Sequence, residues 1–127
     1  MKTSELIGPA LDWAVAKCEG YVIEWDDVFE DYWLEHGDVR HTRLGNYSPS
    51  TSWEQAGPLI ERECIATYAS GACSVSPKNP DYWVAEILDT SEILTQYGPT
   101  PLIAAMRCYI ASKLGDIVDV PDEILSR

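Results

Sequence analysis

The chain predicts an α+β domain: a small, mostly antiparallel sheet packed by the first and last helices, with an acidic helix inserted near the N-terminal third. Three observations carry this. An apolar stripe at helical spacing runs through residues 3–19, and a second helix, 101–114, has both ends written into it. Between them lie short runs of β-branched and aromatic residues separated by Gly- and Pro-rich stretches. With 127 residues, 46% of them hydrophobic, the chain is long enough to bury one core, so 1–127 is read as a single domain.

Leu6, Ile7, Ala10, Leu11, Ala14, Val15 and Cys18 line one face of the first helix, with Thr3 or Ser4 as cap and Gly20 as stop. Gly8-Pro9 interrupts its first turn, which places the start of the regular part at Pro9. Tyr21-Val22-Ile23 reads as a short strand. Residues 24–38 carry seven carboxylates, yet Trp25, Val28, Phe29, Tyr32 and Trp33 recur at i, i+3, i+4, i+7, i+8, the spacing of an aromatic stripe on an acidic helix. Residues 37–58 read as loop, with Ser50 or Thr51 capping one turn around Trp53 and Glu54. Arg62–Ala69 is expected as a strand, with Tyr82–Leu88 as its hairpin partner across a loop over 70–80, and 91–97 as a helical turn capped by Ser91.

The last helix is the clearest element. Thr100 suits its N-cap, Pro101 its first position and Gly115 its end, with Lys113 near the negative pole. On its stripe of Ile103, Ile110 and Leu114 sits Arg107, which needs a partner if buried. Residues 117–121 read as extended and 122–127 as a tail.

The formal net charge is -12, from 21 acidic and 9 basic residues. That disfavours direct nucleic-acid binding, which needs Lys and Arg to displace counterions, and anionic membrane surfaces as well. It fits either plain solubility or an acidic face offered to a basic partner. No apolar run reaches the roughly 18 residues of a membrane span, and the N-terminus lacks the pattern of a secretory signal, so a soluble intracellular protein is expected. Cys18, Cys64, Cys73 and Cys108 form no C-x-x-C pair and read as reduced, mostly buried residues.

His36 and His41 lie five apart in a loop region, too loosely spaced with Asp38 to predict a metal site, and no catalytic residue or cofactor is read. Asp26 and Asp27 look too exposed for tuned acid–base work. A better candidate combines loop hydroxyls, a stacking surface and arginines: Tyr47, Ser48, Ser50, Thr51, Trp53, Glu61, Arg62, Thr100 and Arg107. Such a set suits a small polar or nucleotide-like ligand, with Thr100 at a helix N-terminus as an anion site. The competing reading pairs Arg107 with Glu61 or Glu63 as a structural tie. A second candidate is a protein-binding surface of Trp25, Asp26, Asp27, Phe29, Glu30, Asp31 and Trp33.

Residues 47–63 (Tyr-Ser-Pro-Ser-Thr-Ser-Trp-Glu-Gln-Ala-Gly-Pro-Leu-Ile-Glu-Arg-Glu), 98–115 and the opening 10–20 resemble the NinX family, small proteins of lambdoid bacteriophages and enterobacterial prophages. The resemblance brings no established activity. It implies expression in the host bacterial cytoplasm and an accessory role exercised by binding, with either a small ligand or a host protein as partner.

Overall fold

The computed structural model describes residues 1–71 and 81–127. Its described elements make an α+β domain of helices and two separate three-stranded antiparallel sheets, rather than one sheet.

After a 3-10 turn at Thr3–Glu5, helix α1 spans Gly8–Cys18. Its N-cap is Ile7, without a side-chain bond, so Thr3 and Ser4 do not cap it. Pro9 explains the late start, since its ring and missing N–H cost least in a first turn. Thr3 is instead buried, and its hydroxyl donates to the Gly115 carbonyl at 2.6 Å.

The acidic segment is not a helix. Strands β1 (Val22–Asp26), β2 (Asp31–His36) and β3 (Val39–Arg43) form a meander in the order β1-β2-β3. Trp25 faces Tyr32 and Ile23 faces Leu34 across the first hairpin, so alternation rather than helical spacing sorts the apolar residues. Leu34 is fully buried, and Ile23 and Tyr32 pack on the core. Two turns override the helical pattern. Asp26 Oδ1 accepts the amides of Val28 and Phe29 at 2.8 and 3.3 Å, a local bond that competes with a helix. Gly37, at φ 59°, lets His36 and Val39 pair across two residues.

The expected loop over 37–58 holds β3, a 3-10 turn at Leu44–Asn46 and the start of α2, Trp53–Arg62. The cap of α2 is Ser52, whose hydroxyl accepts the Gln55 amide at 3.3 Å, not Ser50 or Thr51. Buried Ala56 and Leu59 hold this helix to the core although Gly57 and Pro58 lie inside it. The strand expected from Arg62 begins only at Ala66, because α2 runs through Arg62 and the chain turns at Cys64, φ 54°.

The second sheet has the order β4 (Ala66–Ala69), β5 (Trp83–Asp89), β6 (Glu92–Gly98). Antiparallel pairing of β4 with β5 matches the expected hairpin partners. The helical turn expected at 91–97 is strand β6, joined to β5 by a two-residue turn with Thr90 at φ 54°. Ile93, Thr95 and Tyr97 all favour strand once a partner edge exists.

Helix α3, Pro101–Leu114, ends as predicted: Thr100 Oγ1 accepts the Ile103 amide at 3.1 Å, and Gly115 sits at φ 85°. It is buried on most sides, between the second sheet and α1, while Leu114 at its end is exposed. Gly98 lies so close to α3 that an added Cβ would meet the Ala104 nitrogen at 2.7 Å. The C-terminal residues are no loose tail. Val118 exchanges bonds with Met1, Lys2 bridges to Ile117, and α4 (Asp122–Leu125) packs on α1 with Ile124 buried.

Among the described residues the cysteines are unpaired, Cys108 buried, Cys18 half-buried and Cys64 exposed. Burial pushes the Cys18 and Cys108 thiols up to about 12. Cys73 and residues 72–80 of the expected loop lie outside the described residues.

Candidate functional site

The residues gathered by the sequence into one ligand constellation do not come together but fall at four places. Ser50, Thr51, Trp53 and Thr100 line a single cavity of about 240 Å³, completed by Pro101, Leu102 and Ile103. It lies where α2 and α3 both begin. Trp53 is 56% exposed and offers its indole there. Ser50 is buried and anchored: its amide and hydroxyl donate to the two Asp12 carboxylate oxygens at 2.9 and 3.1 Å. Burial pushes the Asp12 carboxyl up to about 6, against the two bonds from Ser50 that hold it down. Ser48 lies outside the cavity lining and braces the loop, its amide donating to Gln55 Oε1 at 2.7 Å.

Arg62 is at the other end of α2. It grips Glu19 with two bonds of 3.0 and 2.6 Å, and Tyr109 donates to the same carboxylate at 2.5 Å. This joint ties α1, α2 and α3 together. Burial raises the Glu19 carboxyl, but the bonds from Arg62 and Tyr109 outweigh it and leave it below its usual range. Glu63 pairs with Lys113 at 3.2 Å, and Glu61 is exposed.

Arg107 reaches neither Glu61 nor Glu63. Its Nε donates to the Leu6 carbonyl at 2.8 Å and a terminal nitrogen to the Tyr97 carbonyl at 2.7 Å. It therefore joins the N-terminal turn to β6, not the 47–63 segment to α3. Burial lowers its pKa. Tyr47 sits elsewhere again, edge-on to Tyr21 at 6.0 Å, with His36 and His41 against the same ring at 4.5 and 5.6 Å.

Sequence reasoning missed Asp12, Glu19 and Tyr109. The signal for Asp12 was present, since it lies three and four residues before Val15 and Ala16, on the buried side of α1.

The second candidate holds together better. Trp25, Asp26, Asp27, Phe29, Glu30, Asp31 and Trp33 all belong to the β1–β2 hairpin. Its acids divide by role. Asp26 is spent inside the hairpin: beyond its two turn amides it accepts from Trp33 Nε1 at 3.0 Å and Arg40 at 2.9 Å. Desolvation pushes its carboxyl up, but the four donors together outweigh this and hold it below its usual range. Asp31 accepts from the Tyr32 and Gly45 amides and pairs with Arg127 at 2.8 Å. Asp27, which accepts the Trp25 indole at 2.6 Å, and Glu30, at φ 51°, stay exposed at the tip. Beside them Val28 is 87% exposed, and Trp25 and Phe29 about half. Phe29 is edge-on to Trp33 at 5.4 Å and lies under Arg43, so its ring is held in place.

The family model described as Bacteriophage P22, NinX matches residues 2–113, a span that holds the hairpin, the cavity and nearly all of α3. No curated protein matches the chain.

Proposed function

Because the chain belongs to the NinX family of bacteriophage P22, we propose that it is a phage accessory protein that acts by binding, and that it presents the β1–β2 hairpin to a basic host protein. One observation carries this: a turn fixed by the Asp26 side chain holds Val28 and Phe29 out in solvent beside the exposed carboxylates of Asp27 and Glu30. Large apolar side chains seldom stay exposed on an ordered tip without a use. An aromatic anchor ringed by acids fits a partner that offers a pocket with a basic rim. The net charge of -12 favours such encounters at long range.

The test is retention from lysate of the host bacterium on immobilised protein. A specific host protein should be held by the parent and lost by Phe29→Ser combined with Val28→Ser, while circular dichroism and melting stay unchanged. Asp27→Asn with Glu30→Gln should weaken retention and flatten its salt dependence. Retention that survives all four substitutions would move the contact off the hairpin.

A second reading keeps a small polar or nucleotide-like ligand. It rests on the convergence of Ser50, Thr51, Trp53 and Thr100 on one cavity at two helix N-termini. Among the described residues no cationic side chain lines that cavity, so its polar side chains are hydroxyls and an indole. A thermal-shift screen with nucleotides and cyclic dinucleotides, repeated with Trp53→Ala, tests it. A shift in the parent that Trp53→Ala abolishes supports this pocket, and no shift in the parent removes it.

A further inference from the structure

We propose that the slot between the β1–β2 hairpin and α4 receives a lysine or arginine side chain of a protein partner. The slot has a volume of about 560 Å³ and is lined by Trp25, Glu30, Tyr32, Glu123, Ser126 and Arg127. Trp25 and Tyr32 stand opposite each other in register, on the face of the sheet that buries Leu34. A large side chain on a core-facing side is normally covered, yet Trp25 is 49% exposed, and the slot opens in front of it. Its indole is edge-on to Tyr32, with centroids 5.0 Å apart, and its Nε1 donates to Asp27 Oδ1 at 2.6 Å. Both rings are therefore set in place before anything enters.

The surroundings of the rings select a cation. The hairpin carries Trp25, Phe29, Tyr32 and Trp33, and three of these rings already lie under an arginine of this chain. Arg40 is over Trp33 at 5.0 Å, Arg43 over Phe29 at 5.3 Å and Arg127 over Tyr32 at 5.9 Å. Trp25, whose indole is the best ring type for this contact, has no such partner among the described residues. Beside it stand Glu30 and Glu123, which make no ion pair among the described residues. The charge of Arg127 is taken by Asp31 at 2.8 Å, so it leaves those two carboxylates uncompensated. An indole face and two carboxylates attract the same charge, whereas a neutral group would desolvate the carboxylates without replacing their water. A slot this open, next to an exposed tip, suits a side chain projecting from a protein surface better than a small molecule, which is mostly engulfed where it binds. The partner is the basic host protein proposed for the hairpin tip, so its identity rests on that reading; the preference of the slot for a cation does not.

Nuclear magnetic resonance of the isotope-labelled full chain tests this, with the capped tripeptides Gly-Lys-Gly and Gly-Arg-Gly as probes and Gly-Gln-Gly as the neutral control. The Trp25 indole N–H and the amides of α4 should move with either cationic peptide and stay still with the neutral one. Glu123→Gln, an exposed change in α4, should weaken binding about 2–5-fold and flatten its salt dependence. Trp25→Leu, followed on the α4 amides, should weaken it by a similar factor of about 2–5 and keep the parent's dichroism spectrum. Phe29→Ser with Val28→Ser should bind the peptides as the parent does. No movement at the solubility limit of the peptides overturns the proposal. So do equal shifts with the neutral peptide, or an affinity that neither Glu123→Gln nor Trp25→Leu reduces. Because the peptides are read without any host protein, a silent slot leaves retention at the tip standing, and loss of retention leaves the slot standing.

Discussion

Asp12 and Arg107 show what one polar side chain does when it faces the core. Asp12 is 7% exposed and its carboxyl is raised to about 6, from an ordinary 3.8. A raised folded-state pKa means the folded protein binds the proton more tightly than the unfolded chain. Folding is therefore penalised above pH 6, and the penalty is relieved as pH falls from about 6 toward 4. A displacement of that size is at most about 3 kcal/mol. Asp12→Asn, which can keep both contacts to Ser50, should be more stable than the parent near pH 8 and lose the parent's gain in stability as pH falls from about 6 toward 4. Denaturant melts at several pH values check this; identical slopes in both proteins would mean Asp12 does not titrate there. Arg107 poses the opposite case, a cation held by two backbone carbonyls. Arg107→Met should destabilise by roughly 1–3 kcal/mol, the cost of leaving the Leu6 and Tyr97 carbonyls short of donors. Stability equal to the parent's would show that water replaces the guanidinium.

At the scale of elements, ends are easier to read than middles. The start and stop of α3 rest on Thr100, Pro101 and Gly115, each of which acts on its own backbone. The hairpin over 22–36 hides behind a helical pattern. Trp25, Val28, Phe29, Tyr32 and Trp33 fit a helical stripe by position, while Asp26 and Gly37 supply turns that only a partner strand rewards. In α2 three adjacent hydroxyl residues compete for the cap, and Ser50 loses because Asp12 claims it. Ser52→Ala should cost about 0.5–2 kcal/mol, the usual loss at an N-cap. Thr51→Ala should lie within about 0.5 kcal/mol of the parent, as an exposed site with one long bond to the Ser48 carbonyl. Thermal melts of both variants check this, and equal losses would put the cap elsewhere.

For the whole molecule the balance of charge matters most. With net charge -12, repulsion between surface carboxylates opposes compaction, and ion pairs such as Arg62–Glu19 offset it only locally. Salt screens both, but the repulsion is spread over many exposed pairs and the ion pairs are few. The melting temperature should therefore rise by a few degrees as sodium chloride goes from low to moderate concentration. A fall would mean that the ion pairs outweigh the net charge.

The sequence by itself determined the fold class, the family, the helix 101–114 with both its ends, and the pairing of the strand after α2 with Tyr82–Leu88. These follow from local chemistry: a cap, a proline, a left-handed glycine and alternating apolar runs act within a few residues of where they stand. Tertiary structure alone decided that the sheet is two sheets, that the acidic segment is a hairpin, and that the C-terminal residues seal against the N-terminus. It also decided which polar residues meet: Ser50 with Asp12, Arg62 with Glu19 and Tyr109, Arg107 with two carbonyls. Ser50 lies 38 positions from Asp12, Arg62 43 from Glu19, and Arg107 101 from Leu6. Local propensity carries no information about such encounters, because what brings them together is the shared burial of α1, α2, α3 and the second sheet in one core.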